Sequence, residues 1–161
     1  MKRIKLTKGE YALVDNEIFE WLNQWKWQCF ARGSRKAATR TDYSGGKKKT
    51  IYMHRLMLGL TDSKRSSYTD HANGNGLDNR RKNLRICNSS LNQANSEGHF
   101  DNKSGYKGVY WYKELNKWTA QIGVNKRKIF LGRFDDKKDA AVAYNNAAQE
   151  YFGDFARLNT L

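Results

Sequence analysis

The polar stretch 69–92 limits what this chain can fold into more than any other part of its sequence. It places an acid beside a histidine, Asp70-His71, directly before the turn-forming segment 73–76, Asn-Gly-Asn-Gly. Asn83 follows the histidine by twelve residues and Asn92 by twenty-one. An extended backbone over 69–71 would point the two neighbouring side chains to opposite faces. We therefore expect the acid and the histidine to have separate tasks.

The residue types in this stretch suit phosphodiester hydrolysis. That reaction requires a water to lose a proton, and it requires charge to be neutralised on the phosphate and the leaving oxygen. Asp70 and Asn92 offer hard oxygen ligands for Mg²⁺ or Mn²⁺, and two protein ligands leave positions open for phosphate and water. His71 has a pKa suited to a general base near neutral pH. The alternative is a polar surface hairpin with an incidental Asp-His pair.

Local signals around the stretch predict a strand–loop–strand–helix unit. Asn88 with the two serines after it is a good helix cap, which places Asn92 in the first turn of a helix. Asn83 is expected to hydrogen-bond backbone and hold the loop rather than to react. The flanking arginines that could grip phosphates are Arg80, Arg81 and Arg85.

The charge of the chain favours a polyanionic partner. The 161 residues include 30 Lys and Arg against 16 Asp and Glu, a formal charge of +14. Double-stranded DNA is the expected partner, although an RNA-binding protein would have the same balance. Fifteen of the basic residues and six of the acidic residues lie in 1–69. The basic segment 31–50 is either a solvated hairpin tip or a phosphate-contacting loop.

The remaining features of the first half point to a structural framework. Residues 51–58 are typical of a strand that runs into a helix, and a lone histidine there, His54, is more often structural than catalytic. Cys29 and Cys87 lie far apart without a Cys-x-x-Cys pair, so neither a zinc site nor a disulfide is expected. The sequence shows no signal peptide and no apolar run of membrane length, so we expect a cytoplasmic protein, in a bacterial or phage-infected cell.

The pattern changes after a polar segment, 96–103, that is predicted to be a linker and contains His99. Three consecutive strands, over 106–112, 117–124 and 126–134, and then a helix beginning near Asp136 are predicted. One sheet face is expected to be exposed, and cations and aromatics on it suit the DNA major groove. A solvated polar face is the alternative. The expected contact residues are Lys107, Tyr110, Tyr112, Gln121, Lys126, Lys128 and Phe130.

Two family resemblances add to these expectations. The run Asp-His-x-Asn-Gly-Asn is followed by Leu-Asp-Asn-Arg-x-x-Asn-Leu-Arg, which ends at Arg85, and is preceded by Met53-His54-Arg55-Leu56. This pattern resembles HNH homing endonucleases of the subgroup that ends in asparagine. This resemblance implies a ββα-metal module, Asp70 and Asn92 as metal ligands, His71 as the base, and Asn83 as the loop-fixing member of the catalytic set.

Residues 104–159 resemble the plant ethylene-response-factor, or Apetala-type, DNA-binding domain. The shared features are Tyr-Lys-Gly-Val, Lys-Trp-x-Ala-Gln-Ile, Leu-Gly-x-Phe-Asp, Ala-Ala-x-Ala-Tyr and the final Ala-x-Leu-Asn. That family uses arginines and tryptophans on its sheet to recognise DNA, whereas few contact positions here are arginine and Gly123 replaces a contacting side chain. DNA binding is implied, and the plant target sequence is not.

The sequence as a whole predicts an α+β protein of two modules. A nuclease domain over 1–95 would be followed by the linker 96–103 and a three-stranded sheet packed on one helix over 104–161. The expected activity is homing-type DNA cleavage with Mg²⁺ or Mn²⁺ that leaves 3′-hydroxyl and 5′-phosphate ends. A monomer would nick one strand, and a dimer would allow a double break. The rival is a non-catalytic DNA-binding regulator with an inactive HNH centre.

Overall fold

The computed structural model describes residues 1–33, 35–61, 67–96 and 102–161. The chain is α+β, with small antiparallel sheets and short helices. It divides into two compact units, Met1–Cys87 and Asn88–Leu161. His99 and most of the predicted linker lie outside the described residues. Within the described part of the chain, no helix is long and apolar enough to span a membrane.

The first unit combines three small antiparallel sheets with two helices. The sheets pair β1 with β2, β4 with both β3 and β5, and β6 with β7. The strands are β1 (Lys2–Lys5), β2 (Tyr11–Val14), β3 (Gln28–Arg32), β4 (Arg35–Asp42), β5 (Lys49–Tyr52), β6 (Tyr68–His71) and β7 (Leu84–Cys87), and the helices are α1 (Asn16–Asn23) and α2 (Met53–Met57).

The core of the first unit is built from alternate strand residues and one face of α1. Ile4, Val14, Leu22 and Met53 are each at most 2% exposed. As predicted, β5 runs directly into α2. Cys29 and Cys87 are both free and buried.

The second unit is a three-stranded sheet packed on a long helix, together with a short helix before it. The sheet order is β10-β9-β8. The elements are α3 (Ser89–Ala94), β8 (Val109–Tyr112), β9 (Lys117–Val124), β10 (Arg127–Phe134) and α4 (Lys137–Phe152). Asp136 caps α4 by accepting a hydrogen bond from the Lys138 amide, 2.5 Å away, as the acid-rich helix start predicted.

Apolar residues at alternating positions fill the space between this sheet and α4. Ala120 and Ile122 of β9 are at most 2% exposed, and on α4 the alanines together with Tyr144 are buried. The predicted alternation of β9 is therefore confirmed. The alanines on α4 allow the helix to pack close to the sheet.

Gly108 is required at that close approach. Its φ is +78°, and a Cβ there would lie 2.1 Å from the Tyr144 ring and 2.6 Å from the carbonyl oxygen of Gln121. The left-handed backbone at Gly108 cannot belong to an extended strand. For this reason β8 begins at Val109 rather than at residue 106 as predicted.

We predict that Gly108→Ala destabilises the protein by about 3 kcal/mol or more, because backbone strain and overpacking against the Tyr144 ring add together. Urea unfolding followed by circular dichroism measures the change. Gly123→Ala is the matched control, since a Cβ at Gly123 meets nothing within 4 Å. Equal unfolding midpoints for the two variants would contradict the packing argument.

Candidate active site

The β6–β7 hairpin holds three of the four predicted nuclease residues. Asp70 pairs with Arg85 across the ladder, and His71 pairs with Leu84. Since neighbouring strand residues point to opposite faces, Asp70 is buried at 6% exposure while His71 is half-buried on the other face. The predicted separation of the two side chains is thus present in the strand.

Asn83 holds the loop between the two strands. Its amide nitrogen donates to the Asn73 side-chain oxygen, at 3.0 Å, and to the Asp78 backbone oxygen, at 2.7 Å. The Asn83 side-chain oxygen accepts a hydrogen bond from the backbone N–H of Asn73 at 3.0 Å. The side chain is 6% exposed, so these bonds replace water. Asn83 therefore fastens both ends of the loop.

A second polar contact fixes the far side of the same loop. Asp78 accepts two hydrogen bonds from the Arg80 guanidinium, at 2.7 and 2.6 Å. This pairing, with further hydrogen bonds from Arg80 and Asn73, keeps the pKa of Asp78 below its ordinary value. Backbone bonds of 2.8 Å join Leu13 of β2 to Leu77 and Asn79. The loop is therefore an anchored part of the first unit.

The arginines predicted to grip phosphates have intramolecular partners. The Arg80 guanidinium holds Asp78, and the Arg81 guanidinium donates to the Leu84 carbonyl at 3.3 Å. Arg85 donates from Nε to Asp70 Oδ2 at 3.1 Å and forms a second bond to the same oxygen through its terminal nitrogen. Phosphate binding by Arg80 or Arg85 would require these ion pairs to open.

The metal ligands predicted for this site are one carboxylate and one amide. Within the ranges that the structure describes, no three His, Cys, Asp or Glu side chains gather closely enough to hold an ion. The hard oxygen donors of Asp70 and Asn92 fit Mg²⁺ or Mn²⁺ in their chemistry. In the structure the Asp70 carboxylate forms an ion pair with the Arg85 guanidinium. Arg85 therefore already supplies the positive charge that a cation would bring to this carboxylate.

Asn92 lies on α3, in the second unit. The helix begins as predicted, because the Asn88 side chain accepts a hydrogen bond from the Leu91 amide at 2.9 Å. The backbone amide of Asn92 bonds to the Asn88 carbonyl at 3.0 Å. The helix position of Asn92 is thus confirmed, and its role as a metal ligand remains a prediction.

His71 is held from two sides within the first unit. Its Nε2 lies 3.5 Å from the Asn79 side-chain oxygen, at the long limit of a hydrogen bond. Asn79 is fully buried and donates its amide to the Leu77 carbonyl, which leaves its oxygen toward the histidine. Burial lowers the pKa of His71, against the smaller raising effects of Asn79, Asp70 and Asp78. The imidazole is therefore neutral near pH 7.

His54 packs edge-on against His71 on the other side. The two ring centroids are 5.1 Å apart with the planes at 85°, and the Tyr52 ring lies 5.5 Å beyond His54. Its Nδ1 is buried and has no hydrogen-bond partner among the described residues. Burial, helped by His71 and Arg55, lowers the pKa of His54 to about 3. The expectation of a structural histidine fits this packing, but the sequence did not indicate that His54 lies against His71.

The exposed face of the second unit's sheet carries most of the predicted DNA-contact residues. The register places Phe130 opposite Gln121 and Lys128 opposite Gly123. Tyr110 and Phe130 are 40% and 58% exposed. The predicted contact residues that lie on this face are Tyr110, Tyr112, Gln121, Lys128 and Phe130.

Two residues predicted on that face lie elsewhere. Lys107 precedes β8, and its ammonium donates to the carbonyls of Gln93, Ala94 and Ser96 at 3.1, 2.6 and 2.7 Å. Burial, with the charge of Arg157, lowers the pKa of Lys107 to about 8. Lys126 sits in the turn before β10 with φ of +66°. The predicted sheet placement of both lysines is wrong, because left-handed turns interrupt the alternation.

Arg133 is a residue of this face that the sequence analysis missed. It pairs with Thr119 across the ladder, and its guanidinium lies 5.0 Å from the Tyr112 ring centroid and 5.3 Å from that of Phe130. A register shift between Phe130 and Gly132 turns Arg133 to this side. Simple alternation from Phe130 does not reveal such a shift, which explains why the residue was overlooked.

Comparisons with known proteins give relatives of two kinds. The chain is 32% identical over 92 residues to Protein 3.8 of Escherichia phage T7, covering 56% of this chain and 74% of that protein. It is 29% identical over 157 residues to a protein of Acanthamoeba polyphaga mimivirus named an uncharacterized HNH endonuclease, covering 96% of this chain and 77% of the relative.

A plant relative matches a shorter part of the chain. The dehydration-responsive element-binding protein 2D of Arabidopsis thaliana is 41% identical over 66 residues, which is 39% of this chain and 32% of that protein. No family model matches the chain. The names of the mimivirus and plant relatives thus agree with the two family resemblances found in the sequence.

We predict that the buried neutral state of His54 makes stability fall as the pH drops below 6.5. The folded pKa of about 3 lies under the unfolded value of 6.5, so the unfolded state binds the extra proton between these limits. The contribution is fully present above pH 6.5 and is lost by about 1.4 kcal/mol per pH unit below it.

Urea unfolding at pH 6.5, 5.5 and 4.5 measures this loss. The variant His54→Phe keeps a ring beside His71 but has no titrating group, so its free energy of unfolding should fall less steeply over the same interval. Identical slopes for the two proteins would show that His54 does not contribute.

Proposed function

The chain belongs to the same protein family as Protein 3.8 of Escherichia phage T7, and from that premise we propose that it is a divalent-metal-dependent DNA endonuclease of the HNH type. The observation that carries the proposal is the β6–β7 hairpin, where a buried carboxylate and a neutral imidazole occupy neighbouring positions of β6, on opposite faces, directly before an anchored loop. The 29% identity with a protein named an HNH endonuclease supports the same conclusion.

In the proposed reaction His71 removes the proton from the attacking water. A proton on Nε2 would face the Asn79 oxygen, which leaves the lone pair on Nδ1 to accept the proton from water. The depressed pKa keeps the ring neutral and therefore basic at physiological pH. The edge contact with His54 limits rotation of the imidazole. This chain thus supplies a base that is oriented before substrate binds.

Asp70 and Asn92 would hold the cation, Mg²⁺ or Mn²⁺. The bound ion would supply charge neutralisation at the phosphate and at the leaving oxygen. Asn83 has no place in the proton transfer, because its amide is fully used within the loop. Its part in the catalytic set is to keep the two strands in register.

The second unit would select the DNA site through its sheet face. Arg133 extends the predicted contact set of Tyr110, Tyr112, Gln121, Lys128 and Phe130 by a guanidinium that is stacked on two rings. Stacking limits the conformations of the guanidinium, and a planar donor fork of this kind recognises guanine through O6 and N7. The partial match to a plant protein named as an element-binding protein supports DNA recognition by this chain.

The rival function is a DNA-binding regulator without catalysis. The observation that favours it is the ion pair of Arg85 with Asp70, which satisfies the carboxylate without a metal. Incubation of supercoiled plasmid with the protein, in Mg²⁺ or in EDTA, separates the two. Nicked or linear product in Mg²⁺ alone supports the nuclease, and DNA binding with no product in Mg²⁺ or Mn²⁺ supports the regulator.

We predict that His71→Ala lowers the plasmid cleavage rate at least about 100-fold, because a general base contributes that much or more. DNA affinity measured in EDTA should stay within about twofold of the unaltered protein. His99→Ala, from the predicted linker, is the control and should cut normally. Loss of affinity together with cleavage in His71→Ala would instead make His71 a binding or folding residue.

We also predict that Arg133→Ala relaxes sequence preference at one base pair and weakens binding to the preferred duplex by about 1–3 kcal/mol. Selection from random duplexes by each protein, followed by fluorescence anisotropy, measures both effects. Arg127→Ala removes the same charge from an exposed position whose register partner is Val124, and it should preserve the preference. An unchanged selected motif for Arg133→Ala would exclude a base contact.

A further inference from the structure

The three-stranded sheet β3-β4-β5 has a second face that the proposed catalytic site does not use. The register places Phe30 opposite Ala37, Thr39 opposite Tyr52, and Thr41 opposite Thr50. The opposite face of the sheet carries buried Cys29, Ala38 and Ile51, which belong to the core. We call the other side the outer face, and its members for this argument are Phe30, Arg32, Arg35, Thr41, Thr50 and Tyr52.

Ring contacts join the outer face to the proposed base. The Phe30 ring lies 6.5 Å from that of Tyr52, and Tyr52 lies 5.5 Å from His54. His54 in turn contacts His71 at 5.1 Å. All four rings belong to the first unit. The outer face therefore begins beside the imidazole that would activate water, and DNA seated at that imidazole has this face as its neighbour.

The cations that β3 and β4 contribute to the basic segment 31–50 lie on the two faces of the sheet. On the core side of the sheet, Lys36 pairs with Glu10 at 2.6 Å, and Arg40 lies over the Trp25 ring at 4.7 Å. These cations have structural partners. Arg32 and Arg35 instead lie on the outer face, at the end remote from Tyr52, and both are exposed.

Arg32 and Arg35 form a like-charged pair directly opposite each other in the ladder. Such a pair destabilises a hairpin, so the fold gains nothing from it. Asp42 is the only acidic residue in 28–52, and it bonds to Ser44 and lies in register with Lys49 on the core side. The end of the outer face thus concentrates positive charge, which a polyanion would stabilise.

The dimensions of the outer face match a duplex held at the site. Arg35 and Thr41 are six residues apart on β4, about 20 Å along an extended strand. One DNA strand presents a phosphate about every 3.4 Å along the axis, so this length covers about six base-pair steps. The hydroxyls of Thr41 and Thr50 and the exposed ring of Phe30 suit contacts to phosphate and sugar.

We propose that the outer face is a second DNA-binding surface, which grips the backbone of the duplex within about one helical turn of the cleaved phosphate. Arg32 and Arg35 would each bind a phosphate, and the threonine hydroxyls would add hydrogen bonds. This proposal rests on the proposed function, since it takes the duplex to lie at His71. It assigns the first unit its own grip on DNA, independent of the sheet face of the second unit.

The test measures how salt weakens binding of a random-sequence 30-base-pair duplex in EDTA. Each phosphate contact steepens the slope of log K against log salt by about 0.9, so Arg32→Ala/Arg35→Ala should reduce the slope by about 1.8. Arg3→Ala/Lys5→Ala removes two exposed positive charges from β1 and should leave the slope unchanged. A reduced slope for Arg32→Ala/Arg35→Ala alone, called the hairpin variant, supports a DNA-binding surface on the outer face. Equal slopes for both variants, whether changed or not, overturn it.

Hydroxyl-radical footprinting on a duplex nicked by the protein locates the contact. The hairpin variant should lose protection on one side of the nick, within about ten base pairs. Loss at both sides or at neither overturns the proposal. If the protein cleaves DNA but Arg32→Ala/Arg35→Ala leaves the salt slope and the footprint unaltered, the second DNA-binding surface is refuted and the nuclease function is retained. If the variant shows the expected change of slope but the unaltered protein does not cleave DNA, the nuclease function is refuted and the second DNA-binding surface is retained.

Discussion

The hydrogen bonds of Asn83 are the constraint on which the candidate site depends. They join the two ends of a polar loop that has almost no apolar side chains to bury, so hydrogen bonds must supply the order that packing supplies elsewhere. The register they fix places Asp70 against Arg85 and turns His71 outward from that pair. A slip of one residue would exchange the two faces and separate the His71 ring from His54.

Local signals account for the parts of the fold that the sequence predicted well. Asn88 and Asp136 each accept a hydrogen bond from an amide in the first turn of the helix that follows, and the alternation in β9 places Ala120 and Ile122 in the core. Each of these outcomes depends on residues within a few positions of one another. Helix starts, strand faces and the strand entering α2 were therefore predictable.

Interactions between distant residues account for what the sequence did not reveal. Nothing in the spacing of Lys107 shows that its ammonium closes the end of α3, or that Gly108 takes a left-handed backbone. The pairing of Arg85 with Asp70 depends on a register fixed by the loop, and the side to which Arg133 points depends on an irregularity in β10. Polar contacts of this kind have no period, so a charged residue's partner cannot be inferred from its neighbours.

Each unit presents arginines beside aromatic rings on a sheet whose other face is packed, but the two arrangements differ in rigidity. Arg133 is stacked on Tyr112 and Phe130, so in the proposed function its donor fork would be oriented before DNA binds and would discriminate between bases. Arg32 and Arg35 flank a hairpin turn and repel each other, an arrangement that favours any phosphate over a particular base. Sequence preference and backbone binding would then come from different units. The phosphate contacts of the first unit, near His71, would add affinity without adding sequence preference.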